Sequence, residues 1–93
     1  MSVRLVTMPM LGASLVSPRP SGETVTLPVV DLHLVDPPKP RHLGGGSTRH
    51  HVRAAFDREA MVLYANASAD IAAVRDVLER LSAEPEAWER WVR

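Results

Sequence analysis

Apolar and polar positions alternate with a two-residue period through the first third of the chain, and with a helical period through the last third. Val3 to Met8 and Met10 to Val16 read as short strands. They are separated by Pro9, which has no N–H to give to a ladder and so belongs at an edge or a bend. Ser17-Pro18-Arg19-Pro20-Ser21-Gly22 then reads as a turn. From Thr24 to Val35 the alternation changes phase. Val25, Leu27 and Val29 hold odd positions, whereas Val30, Leu32 and Leu34 hold even ones. A β-bulge next to Pro28 would invert the buried face in this way. Pro28 also assigns the segment to a sheet edge, where another chain can add a strand.

Asp36 to Thr48 shows no period and contains Pro37, Pro38 and Pro40, followed by Gly44, Gly45 and Gly46. It reads as a long loop, stiff at first and freely hinged after that. Arg49 to Ala67 carries two patterns. As a helix, Val52, Ala55, Phe56, Ala60, Leu63 and Tyr64 share a face. As a hairpin, Val52, Ala54 and Phe56 alternate, Asp57-Arg58-Glu59 turns, and Met61 to Tyr64 is a short apolar strand. The hairpin is preferred, because Ser68 and Asp70 supply a helix start immediately afterwards. Its weak point is a turn without glycine.

Ala69 to Ser82 predicts a helix with a stripe of Ile71, Val74, Val77, Leu78 and Leu81, and with Asp76 one turn before Arg80. Pro85 breaks it, and Pro85 to Arg93 restarts as a short helix carrying Trp88 and Trp91, with Glu86–Arg90 and Glu89–Arg93 pairs on its other face. The predicted fold class is α+β. A small antiparallel sheet of three to five strands, with a bulged edge strand at about 24–35, packs against the kinked C-terminal helix. Three helices after a β-rich half are the alternative.

Composition bounds this picture. A chain of 93 residues is read as a single small domain, 1–93, with a Pro/Gly-rich basic loop at 36–48. Such a chain buries only about two-thirds of its unfolded surface. Just four of its residues are Trp, Tyr or Phe, so the core is thin and a partner or a homo-oligomer is expected. The absence of cysteine excludes disulfides, thiolate metal sites and cysteine nucleophiles. No apolar run reaches the roughly 18 residues a membrane helix needs, and Pro9 and Gly12 interrupt the N-terminal stretch. A cytoplasmic protein with no membrane partner is expected.

Formal charge sums to zero but is unevenly placed. Lys39, Arg41, Arg49, Arg53 and Arg58 outweigh Asp36 and Asp57 in the middle of the chain, and the C-terminal third is acidic. His33, His42, His50 and His51 fall close together, with Asp31 and Asp36 nearby as oxygen donors. Adjacent His50 and His51 point to opposite faces of a strand, which argues against one shared ion, so no metal site is assigned. Ser47 or Thr48 with a histidine and Asp57 has the residue types of a triad. A mobile glycine loop, however, does not hold a nucleophile within reach of its base. The glycines also lack the spacing and the lysine of a phosphate loop. Neither a catalytic residue nor a cofactor nor a small-molecule substrate is inferred.

The expected function is therefore a non-catalytic interaction module, a small adaptor, regulator or assembly component. It would bind a partner protein or itself through Val25 and Leu27 on the sheet edge and through Trp88 and Trp91 on the last helix. The alternative is a nucleic-acid-binding regulator that uses Lys39, Arg41, Arg49, His50 and Arg53, although no stacking aromatic is interleaved with them.

Overall fold

The computed structural model describes residues 2–35, 38–40 and 51–93. The fold is α+β. Seven strands, β1 (Arg4–Met8), β2 (Ser14–Pro18), β3 (Thr24–Pro28), β4 (Val30–His33), β5 (Lys39–Pro40), β6 (His51–Asp57) and β7 (Val62–Asn66), precede α1 (Ile71–Ala83) and α2 (Ala87–Trp91). The main sheet has the order β1-β7-β6-β4-β5, while β2 and β3 form a separate two-stranded sheet. Pairing in the main sheet is antiparallel except between β1 and β7, which run parallel, so the sheet is mixed.

Alternation on β6 and β7 divides the core in two. Val52, Ala54, Phe56, Leu63 and Ala65 face the helices, where Ala73, Val74, Val77, Leu81, Ala87, Trp88 and Trp91 cover them. Ala55, Val62 and Tyr64 face the other way, under Leu15, Leu27 and Val29 of the hairpin side. Strands covered on both sides read as near-continuous apolar runs, which is why this segment carried two competing patterns. It forms the preferred hairpin. The positive φ that glycine would have supplied falls instead on Met61, at 56°.

The phase change at Val29–Val30 marks a change of layer, and the single bulged edge strand is replaced by two strands in different sheets. Val25 and Leu27 lie on β3 above the main sheet, while Val30 and Leu32 lie on β4 within it and face the helices. Pro28 ends β3 at this crossing, and the N–H of Val29 donates to the carbonyl of Ala13 at 2.9 Å. β4 is consequently an interior strand, flanked by β6 and by the two-residue β5. The preceding turn is closed by a hydrogen bond from Gly22 N–H to the Arg19 carbonyl at 2.9 Å, with Gly22 at φ 93°. That geometry suits glycine in a short hairpin loop.

Asp70 caps α1, its Oδ1 accepting from the N–H groups of Ala72 and Ala73 at 2.8 and 3.2 Å. Asp76 and Arg80 pair as the spacing predicts, at 3.1 Å. Ile71 departs from the predicted stripe and is 69% exposed, because the helix buries Ala73 in its place. The predicted pairs within the last helix are also redrawn. Arg58 of the β6–β7 turn bonds to Glu89 and approaches Glu86 at 4.0 Å, and Arg90 bonds to Glu84 at 2.7 Å. The Arg58 contacts link α2 to the β6–β7 turn, and the Arg90 pair links α2 to the end of α1.

Trp88 meets Phe56 edge-on, with ring centroids 5.8 Å apart, and both tryptophans are buried. They are core residues in this structure. Trp88→Ala should therefore destabilise the monomer itself, by about 3–5 kcal/mol, the range for removing a buried aromatic side chain. Urea unfolding followed by circular dichroism measures this, and an unchanged midpoint would contradict it.

Candidate functional site

A cleft of about 570 Å³ opens between the hairpin layer and the start of the main sheet. Arg4 comes from β1, Val62 and Tyr64 from β7, Ser17 and Pro18 from β2, Arg19 and Pro20 from the hairpin turn, and Glu59 and Ala60 from the β6–β7 turn. Two turns and the ends of three strands thus converge there.

Its floor is a hydrogen-bonded chain built around Asp57, the last residue of β6 and only 1% exposed. Ser17 Oγ donates to Asp57 Oδ2 at 2.6 Å. The Ser17 hydroxyl has one proton and gives it to the carboxylate, so the Tyr64 hydroxyl, 2.9 Å away, is the donor in the second bond. Arg19 Nη1 also donates to Oδ2, and the N–H of Ala60 donates to Oδ1 at 3.0 Å. Arg19 Nη2 reaches Glu59 at 3.3 Å.

Burial alone would raise the Asp57 carboxyl. The donors Ser17, Ala60 N–H and Arg19 together outweigh burial and hold it below its ordinary value. The network therefore keeps Asp57 ionised and fully occupied. Ser17, itself 1% exposed, is engaged by Asp57 and Tyr64, and no imidazole among the described residues is hydrogen-bonded to it.

Arg4 differs from its neighbours. It is exposed, and no carboxylate among the described residues pairs with it. Its backbone N–H donates to the Met61 carbonyl at 2.9 Å, and the Ala67 N–H donates to the Met8 carbonyl at 3.0 Å. With the parallel register Arg4↔Val62 to Met8↔Asn66, the main-chain groups of Arg4, Val6 and Met8 point toward β7. Those of Leu5 and Thr7 point outward, along an edge that no described strand covers. The far edge of the sheet is closed differently, by the very short β5, which contains Pro40.

The residues singled out from sequence are scattered. Val25 and Leu27 are half-buried on β3 with Leu27 packed onto the sheet, and Trp88 and Trp91 lie on the opposite side among the helices. The structure does not bring these four together. Of the basic set, Arg41, Arg49 and His50 lie outside the described residues, as do His42, Ser47, Thr48 and Asp36. Lys39 is exposed on β5, and the register aligns it with His33 and His51 across three strands. The two imidazole rings sit 4.7 Å apart. Arg53 is engaged by Asp31 at 3.4 Å and by the Gly12 carbonyl at 2.6 Å. No group of three or more potential metal ligands converges among the described residues.

From sequence Asp57 reads as a turn residue and as a candidate triad member, whereas the structure makes it the buried last residue of β6. Its partners Ser17, Arg19 and Tyr64 were missed, although Ser17 follows Leu15 in the two-residue phase of a buried face. Comparison with protein-family models, with curated proteins and with solved structures finds no match to this chain.

Ser17→Ala removes a donor from Asp57 and the acceptor of Tyr64 together, and should cost about 1–3 kcal/mol in chemical denaturation. The pH dependence has a definite sign. A carboxyl lowered in the folded state contributes stability at neutral pH that is lost as pH falls through the ordinary aspartate range toward its folded value. Melting temperatures of the wild type should thus fall more steeply than those of Asp57→Asn across that acidic window. Parallel curves would remove the role given to Asp57.

Proposed function

We propose that this protein is a non-catalytic interaction module, an adaptor or assembly component, that takes up an extended segment of another polypeptide along β1. The observation that carries the reading is the outer edge of β1, which no strand among the described residues covers. Leu5 and Thr7 direct N–H and C=O groups away from the sheet, β1 contains no proline, and Leu5 and Val6 are half-buried apolar residues. An antiparallel strand placed there exchanges up to four main-chain hydrogen bonds with those two residues. This is strand addition, in which the backbone gives affinity and alternate side chains give selectivity.

The edge replaces the surface anticipated from Val25, Leu27 and the tryptophans, since Leu27 and both tryptophans are already committed to packing. The nucleic-acid alternative keeps less support. Lys39 is its only residue described as exposed, and Arg53 is already paired with Asp31. No helix among the described residues is long and apolar enough to cross a membrane. A chain without cysteine suits a reducing compartment, and the cytoplasm is the proposed location.

Amide exchange followed by NMR tests the reading residue by residue. In the free protein, Val6 and Met8 should be protected and Leu5 and Thr7 should exchange fast. A β-forming peptide of alternating Val and Thr, or a high concentration of the protein itself, should slow Leu5 and Thr7. Thr7→Pro removes an outward N–H and leaves the bonds to β7 intact, so it should abolish that protection while β6 and β7 stay folded. If neither peptide nor self-association slows Leu5 and Thr7, the reading is wrong.

A further inference from the structure

Resting on the edge reading, we infer that the segment added to β1 is acidic at one defined place: it carries a carboxylate opposite Arg4, at the mouth of the cleft. Side chains on a strand alternate between faces. Val6 and Met8 pack on the hairpin side of the sheet and Leu5 on the helix side. Arg4 shares the phase of Val6 and Met8 and lines the cleft on that side. A residue opposite Arg4 on an incoming strand projects to the same face, with its Cβ about 5 Å from that of Arg4.

The charges around the cleft select what that residue is. Arg19 is engaged by both Asp57 and Glu59, so each carboxylate near the cleft already has its cation. Arg4 is the guanidinium left over. Pro18, Pro20 and Val62 supply apolar wall beside it. The Tyr64 hydroxyl gives its proton to Ser17 and carries no charge, so it does not balance the Arg4 guanidinium. A side chain with a carboxylate therefore supplies the group this wall lacks.

Charge also separates a foreign partner from a second copy. Leu5 and Thr7 must face outward-pointing residues of the added strand, so two copies of β1 paired antiparallel place an even-numbered residue opposite Arg4. With the pairing centred on Val6, that residue is Met8. Sliding it by one step in either direction offers Val6 or Met10. No register of this kind brings a carboxylate, because the chain has no Asp or Glu before Glu23. A second copy's β1 therefore leaves Arg4 unanswered, and the inferred occupant is a segment of another protein. Opposite Met8, Val6 and Arg4 in turn, it reads apolar, any residue, apolar, any residue, then Asp or Glu.

The test titrates the full-length, isotope-labelled protein with the capped peptide Ser-Val-Thr-Val-Thr-Glu-Ser and with versions carrying Gln or Lys in place of Glu. Binding is read from the Leu5 and Thr7 amides. The Glu peptide should bind roughly two- to fivefold more tightly than the Gln peptide, the range for a cross-strand charge pair. That preference should shrink with added salt and vanish in Arg4→Gln. In Arg4→Glu it should invert toward the Lys peptide. Two results would overturn the inference in distinguishable ways. Equal binding of the Glu and Gln peptides, with Leu5 and Thr7 protected by both, removes the acidic preference and leaves the edge reading standing. No binding by any peptide, with Leu5 and Thr7 still exchanging fast, takes the edge reading away and this inference with it.

Discussion

A single buried carboxylate organises much of this small protein. Asp57 ends β6 at a point where the strand passes beneath the hairpin layer, and it is shielded from water almost completely. An isolated charge in that position is strongly unfavourable, so the layer above must supply donors. Ser17 and Arg19 do so from β2 and its turn, and the N–H of Ala60 does so from the following turn. One segment distant in sequence and the turn that follows β6 are thereby tied to one side chain. Apolar contact alone gives the hairpin layer a preference for the sheet, and the directional bonds to Asp57 give it one position there. Removing either side of such a buried set costs more than the pair contributes, because the group left behind remains unsatisfied.

The same arrangement explains how a core with so few large side chains is sufficient. The hairpin β6–β7 is covered by helices on one face and by β2–β3 on the other, so the small residues Ala54, Ala55 and Ala65 are fully enclosed. Alanine at these positions lets both layers approach closely. The larger residues Phe56, Trp88 and Trp91 are concentrated on the helix side. The hairpin side has less apolar bulk and uses a polar network instead, and it is at the margin of that network that the cleft opens.

Much of the fold was legible because periodicity is local. The α1 stripe of Val74, Val77 and Leu81, the cap at Asp70 and the break at Pro85 all follow from neighbours within a turn or two. The choice of hairpin over helix for residues 51–66 also followed from a local signal, the helix start placed just after it. The phase change at Val29–Val30 was equally visible, but its meaning was not. A bulge and a crossing between layers leave the same pattern in sequence, and only the pairing of β3 with β2 and of β4 with β6 separates them. The Asp57 network was illegible for a related reason. Ser17 and Asp57 are brought together by the way two layers stack, and no spacing along the chain records that. The tryptophans show the converse limit, since their residue type suits both a core and an interface, and burial decided between them.

Among the described residues the open edge and the unpaired guanidinium belong to one strand, and on the proposed reading this connects fold to function. β1 joins the sheet by a parallel register to β7, and its first residue reaches the cleft while its middle residues point main-chain groups outward. Backbone pairing by itself is indifferent to sequence, which leaves an open edge exposed to any extended chain, including another copy. A cation at one end of that edge changes this balance. It disfavours basic segments and leaves self-pairing with an unanswered charge, while an acidic segment gains an ion pair in addition to the ladder. In the proposed role Arg4 is helped by Arg19, which holds Asp57 and Glu59, so the network that fixes the hairpin layer also occupies the carboxylates beside the cleft.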